Sequence, residues 1–187
     1  MEFSIGDTVM YPRHGVGEIT DIEHKELVEG FADYYVIDIP KKRMTVRVPI
    51  DKTDDLGIRP TMVPAKLDSV FVLLGSEPGS LPNDNRKRQD QIRQMLGSGV
   101  PFEVAEAVRD LVGRREERHL TKADSDLLAW GEELLTSEIA IITNIDVMEA
   151  KQQIQTALTG TIPVTTAGLQ EMALSPDQTP ALQQINV

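Results

Sequence analysis

Gly6-Asp7-Thr8-Val9-Met10-Tyr11-Pro12-Arg13-His14-Gly15-Val16-Gly17 decides how the chain begins: a short apolar run stops at a proline, and a glycine-marked bend follows it. Residues 16–22 continue as a rough alternation, with Val16, Glu18, Thr20 and Ile22 on one side and Gly17, Ile19 and Asp21 on the other. A third run, Tyr34-Tyr35-Val36-Ile37-Asp38-Ile39, ends at Pro40, and a fourth, Met44-Thr45-Val46-Arg47-Val48-Pro49, follows the basic turn Lys41-Lys42-Arg43. Short β-prone runs with a turn about every 8–12 residues and no helical period predict a small closed barrel of SH3 or Tudor type over residues 1–60. Closure would remove most of the sheet's edge.

Beyond Pro64 the period changes from two to 3.6. Leu67, Val70, Phe71 and Leu74 share one helical face, and the glycines and prolines of 75–82 end it. A second helix over 86–96 turns Ile92, Met95 and Leu96 inward and its basic residues outward, and Gly97-Ser98-Gly99 stops it. Pro101 suits a first helical turn, and Val104, Ala107, Val108, Leu111 and Val112 form the stripe of a third helix to about residue 118. Thr121-Lys122-Ala123-Asp124 matches a capping box for a fourth, which carries Trp130 at a position expected to pack in the core, and Asp146 starts a fifth that ends near Leu158. The expected architecture is therefore α+β and multidomain: a Tudor/SH3-like barrel over 1–60, an all-α domain of about five helices over 65–159, and a flexible tail over 160–187 whose Thr- and Gln-rich composition shows no periodic apolar face.

Composition bounds the chemistry. The 187 residues hold 19 Lys and Arg against 30 Asp and Glu, a formal net charge of -11, so any nucleic-acid contact must be local and not a property of the whole field. The chain has no cysteine, which excludes disulfides, thiol nucleophiles and cysteine-ligated metals. The three histidines are scattered, and neither a G-x-S-x-G elbow nor a phosphate-binding P-loop occurs. Glu116-Glu117 and Glu132-Glu133 are adjacent on helices and point about 100° apart, so they do not converge on one reacting atom. The expectation is a non-enzymatic cytoplasmic protein, a monomer without metal or cofactor. A hydrolase or other small-molecule enzyme would need a convergent polar pocket that no motif announces.

Two stretches invite a functional reading. The strand Met44-Thr45-Val46-Arg47-Val48-Pro49, if it lies at the barrel's open edge, offers backbone groups for strand addition and an arginine fork for carboxylates; an ordinary hairpin with solvated lysines is the plain alternative. Residues 61–100 are the one window that is not acidic, with five basic and four acidic residues, and Arg86-Lys87-Arg88 and Arg93 concentrate there. On a helix these could span phosphates; the plain alternative is a solvated face.

The order of these motifs, together with Val104-Ala105-Glu106-Ala107-Val108-Arg109-Asp110-Leu111 after Gly99, resembles the CarD/CdnL family of bacterial transcription factors over about residues 3–158. The resemblance implies a Tudor-like domain that binds the RNA polymerase β subunit and a helical domain that meets promoter DNA upstream of the melted region. It implies that Arg47 and Lys25 contact the polymerase lobe, and that the strand of Thr45, Val46, Arg47, Val48 and Pro49 aligns with the partner's sheet. On the DNA side it implies a wedge tryptophan at the position filled here by Asn85, next to Arg86, Lys87, Arg88 and Arg93, of which Arg88 matches a family arginine; Asp90 replaces another basic position. An amide cannot stack into a distorted base step as an indole does, so a weaker effect on promoter melting than the family norm is expected. A polymerase-bound adaptor or competitor that leaves DNA alone is the alternative. Either reading requires separate cores for the two halves and an uncovered strand margin.

Overall fold

In the computed structural model, which describes residues 2–161, five strands form one antiparallel sheet: β1 (Thr8–Tyr11), β2 (Gly15–Val28), β3 (Phe31–Ile39), β4 (Met44–Pro49) and β5 (Arg59–Pro60). Their order is β4-β3-β2-β1-β5. Five helices follow: α1 (Leu67–Leu74), α2 (Asn85–Ser98), α3 (Pro101–Glu117), α4 (Lys122–Thr143) and α5 (Val147–Leu158). This is the Tudor-like sheet and all-α body that the patterning predicts. The tail expected over 160–187 falls on residues 162–187, outside the described residues.

The sheet differs from the expected closed barrel in one respect. Among the described residues its ladders do not meet, because β5 is two residues long, pairs with β1 alone through Val9–Pro60 and Met10–Arg59, and contains a proline that cannot donate. β4 pairs only with β3, in register from Tyr34–Pro49 to Ile39–Met44, and is one margin of the sheet. β2 also runs six residues past Ile22, because its polar stretch pairs with the start of β3 as a hairpin that projects beyond the core. With both faces wet there, no alternation marks it as strand.

One core fills the sheet's inner face: Val9, Tyr11, Ile19, Tyr35, Ile37, Ile39 and Val48, joined by Phe3 and Ile58. The Tyr35 hydroxyl accepts a hydrogen bond from the Phe3 amide at 2.8 Å, so the buried phenol is satisfied. A second core lies among the helices, where Leu67, Phe71, Ile92, Leu96, Val108, Leu111, Leu135 and Ile139 are fully enclosed at i, i+3 and i+4 spacings. Gly131 allows α4 its close approach: a Cβ there would stand 2.7 Å from Val108 Cγ2. The predicted capping box forms, with Thr121 Oγ1 accepting from the Asp124 amide and Asp124 accepting from the Thr121 amide.

The two cores touch along a seam. Met10 and Val16 of the sheet pack into the helical core, and the connecting segment is anchored at both ends, Ile58 in one core and Met62 in the other. Glu138 of α4, 2% exposed at its side chain, receives Arg59 Nη1 at 2.6 Å, Arg59 Nη2 at 2.8 Å and the Met62 amide at 2.6 Å. Arg59 Nε donates to the Gly99 carbonyl at 2.6 Å. Gly99 has φ +70 and its missing Cβ would lie 2.6 Å from Pro12, so a glycine is needed there for both backbone and space. Trp130, expected inside the helical core, instead sits half-buried at its edge, with Nε1 donating to the Pro12 carbonyl at 3.0 Å. Lys41 and Glu133 add an ion pair at 3.3 Å across the seam.

Candidate functional site

Two surfaces carry the residues singled out above. The first is the β4 margin and the outer face beside it. Along β4 the side chains alternate: Val46 and Val48 pack against the sheet core, Met44 with them, while Thr45 and Arg47 are exposed. Val48 is buried and Val46 half-buried, since period-two alternation turns both side chains inward; what these two candidate contacts present outward is backbone. No described strand or side chain bonds to that outer edge.

Arg47 does not stand free. Its Nε and Nη2 both donate to Glu23 of β2 at 2.8 Å, a bidentate fork that holds Glu23 below the usual carboxylate range. Lys25 lies two residues further along β2, exposed and on the same side as Glu23. Lys25 and Arg47, with Ile22, Glu23, His24 and Leu27, line one shallow groove beside the margin. Leu27 and Val28, 42% and 56% exposed, leave an apolar rim there. His24 is paired with Asp33 across the hairpin. The structure thus brings Lys25 and Arg47 together, residues 22 apart in sequence, and adds Glu23, which the sequence reading missed. Glu23 pairs with Tyr34 and Arg47 with Val36, so the two meet diagonally across β3, a long-range register that no local signal in the sequence gives.

The second surface is the start of α2. Asp84 caps it by accepting from the Lys87 amide at 2.8 Å. Arg86 and Lys87 are exposed and make no ion pair among the described residues. Arg93 is exposed but pairs with Asp90 at 2.8 Å one turn away. Asn85 is exposed, and its Oδ1 accepts from Arg88 Nη2 at 2.8 Å.

Arg88 is a correction. Its side chain is 1% exposed and cannot reach a phosphate outside the molecule. The guanidinium makes five hydrogen bonds: to Asp124 Oδ1 at 3.2 Å and Oδ2 at 2.8 Å, to the carbonyls of Pro82 at 2.9 Å and Asn83 at 3.2 Å, and to Asn85. Every N–H of the fork is satisfied. Burial alone would raise the pKa of Asp124, but Arg88 and the Thr121 hydroxyl and amide outweigh it and bring it down to about 2. The signal was in the sequence: Arg88 stands four residues before Ile92 and eight before Leu96, on the inward stripe.

A Tudor-like sheet with one open margin, clamped to a five-helix body, has the form of an interaction protein. Two family models match in tandem, the CarD-like/TRCF RID domain over residues 3–62 and the CarD C-terminal domain over residues 69–155. YdeB of Bacillus subtilis (strain 168), named as a candidate transcription factor, is 34% identical over 153 residues, covering 80% of this chain and 97% of that protein. The chain belongs to the CarD family, and its role is transcription regulation.

Proposed function

We propose that the protein docks on the RNA polymerase β subunit through the β4 margin and the Lys25–Arg47 groove, and holds the start of α2 near upstream promoter DNA, where it modulates open-complex stability. The observation that carries this reading is the uncovered β4 edge: a row of backbone groups beside an arginine fork suits strand addition by a partner sheet. Residues 1–60 act as the docking unit and 65–159 as the DNA-proximal unit of a monomer. The regulator works by binding energy alone. Contacts made better in the melted promoter than in the closed one shift that equilibrium, and equal contacts shift nothing.

Arg47 is already engaged by Glu23, so a partner carboxylate must share or displace that internal one. Arg47→Glu is expected to abolish capture of the isolated β lobe while the circular dichroism spectrum stays unchanged, and Glu23→Gln, which frees the fork, to retain or strengthen it. Undiminished capture by Arg47→Glu would remove the docking reading.

A second reading, an adaptor that occupies polymerase without engaging DNA, is favoured by the charge at α2. With Arg88 buried, Arg93 paired and Asn85 in the wedge position, only Arg86 and Lys87 among the proposed contacts offer unpartnered positive charge. The salt dependence treated below separates the two.

A further inference from the structure

Behind α2, between residues 78–83 and the last turns of α3, the surface folds into a polar cleft of about 290 Å³. Arg114 lines it, half-buried. Its Nε is enclosed without an acceptor, and its guanidinium has no hydrogen-bond or ion-pair partner among the described residues. Arg118, four residues on and exposed, shares the cleft and donates from Nη1 to Asn83 Oδ1 at 3.0 Å, its one partner. Ser80 and the Asn83 amide nitrogen line it as well and add neutral donors without acceptors among the described residues.

The acidic residues of the cleft do not cancel this. Asp110 is already held by Arg109, at 2.8 Å from Nε, and by the Gly79 amide at 2.7 Å. Glu117 lies exposed to solvent, where its charge is screened. Burial first, and then the like charges of Arg88 and Arg118, push the Arg114 guanidinium below its usual range, against the opposing pull of Asp124 and Glu117. An enclosed guanidinium donor without an acceptor, with a second guanidinium lining the same cleft, is an arrangement that an anion completes.

We propose that this cleft binds a small phosphate-bearing anion, with its oxygens between the Arg114 and Arg118 forks and hydrogen-bonded by Ser80 and Asn83. Two planar forks and two neutral donors supply more directions than one carboxylate accepts, and they suit the several oxygens of a phosphoryl group. The volume is at the lower end of ligand cavities, large enough for pyrophosphate or a mononucleotide. Such a ligand would tie the end of α3 to the segment that leads into α2. This inference stands independently of the polymerase reading, because none of its residues lies on the sheet or on the exposed face of α2.

The test is calorimetric titration of the full chain with pyrophosphate, at fixed ionic strength set by chloride. Saturable one-to-one binding is expected, weakened about tenfold or more by Arg118→Gln and unchanged by Arg86→Gln with Lys87→Gln. Arg118 is exposed, so its variant folds; Arg114→Lys, which keeps the charge and loses the fork, is expected to weaken binding as well. Absence of saturable binding, equal binding by Arg118→Gln, or equal loss in the α2 variant would overturn the site. A short DNA duplex replaces pyrophosphate in a parallel titration: duplex binding that depends on Arg118, with none of pyrophosphate, would assign the cleft to the DNA backbone and overturn the small-ligand proposal.

Discussion

Removing the Arg88 guanidinium leaves Asp124 enclosed with no counter-charge, two backbone carbonyls without donors, and Asn85 without its partner. Arg88→Met is therefore expected to lower the unfolding free energy by about 3–5 kcal/mol in urea titrations, whereas Arg86→Ala and Lys87→Ala change it by less than about 0.5 kcal/mol. A triple alanine replacement at 86–88 would report unfolding, not lost DNA contact. Acid provides a second check on the same pair. A carboxylate whose pKa falls from 3.8 to about 2 on folding stabilises the native state above the higher value and loses that contribution as pH drops through the lower one. The stability gap between the wild type and Asp124→Asn, on the order of 2 kcal/mol at neutral pH from this source, is expected to close as pH is lowered from about 4 to about 2. The inward place of Arg88 was legible from its spacing to Ile92. Its partner was not, because the pairing with Asp124 spans 36 positions and rests on how α2 and α4 cross.

At the scale of elements, α2 presents less cationic surface than its composition suggests. With Arg86 and Lys87 as its free charges, promoter affinity within the polymerase complex is expected to fall with a log-log salt slope of roughly -2, and to flatten when both are changed to glutamine. A slope near zero in the wild type would favour the adaptor reading. The helices themselves were legible, since their apolar stripes, the Thr121 cap and the Gly99 stop are local signals read within a turn or two. The sheet was legible only where one face is buried. β2 beyond Ile22 escaped because wet strands carry no alternation; β4 was legible as a candidate edge, but whether the sheet closes depends on a partner strand for it, a long-range matter that no local pattern encodes.

At the scale of the whole molecule, the seam converts two separately cored halves into one body, and Glu138 is its centre. Glu138 stands three and four residues after Leu135 and Leu134, on the inward stripe of α4; that spacing was the available signal, and the sequence reading passed over it. Glu138→Ala leaves Arg59 and the Met62 amide without their acceptor. The expected results are a loss of about 3 kcal/mol and faster hydrogen exchange at the Met62 amide, with exchange in β3 unaltered. If Met62 exchange stayed at the wild-type rate, the clamp would not be what fixes the halves. A fixed orientation matters to a regulator that grips polymerase with one half and approaches DNA with the other, because a loose joint would dissipate as entropy what the contacts gain.

The chain's single tryptophan has its indole N–H on a carbonyl from the opposite half. Its emission is a built-in optical gauge of that junction, needing no attached dye. If the halves separate on warming while each remains folded, the spectrum shifts to the red before ellipticity is lost; if they melt as one cooperative unit, the two signals change together.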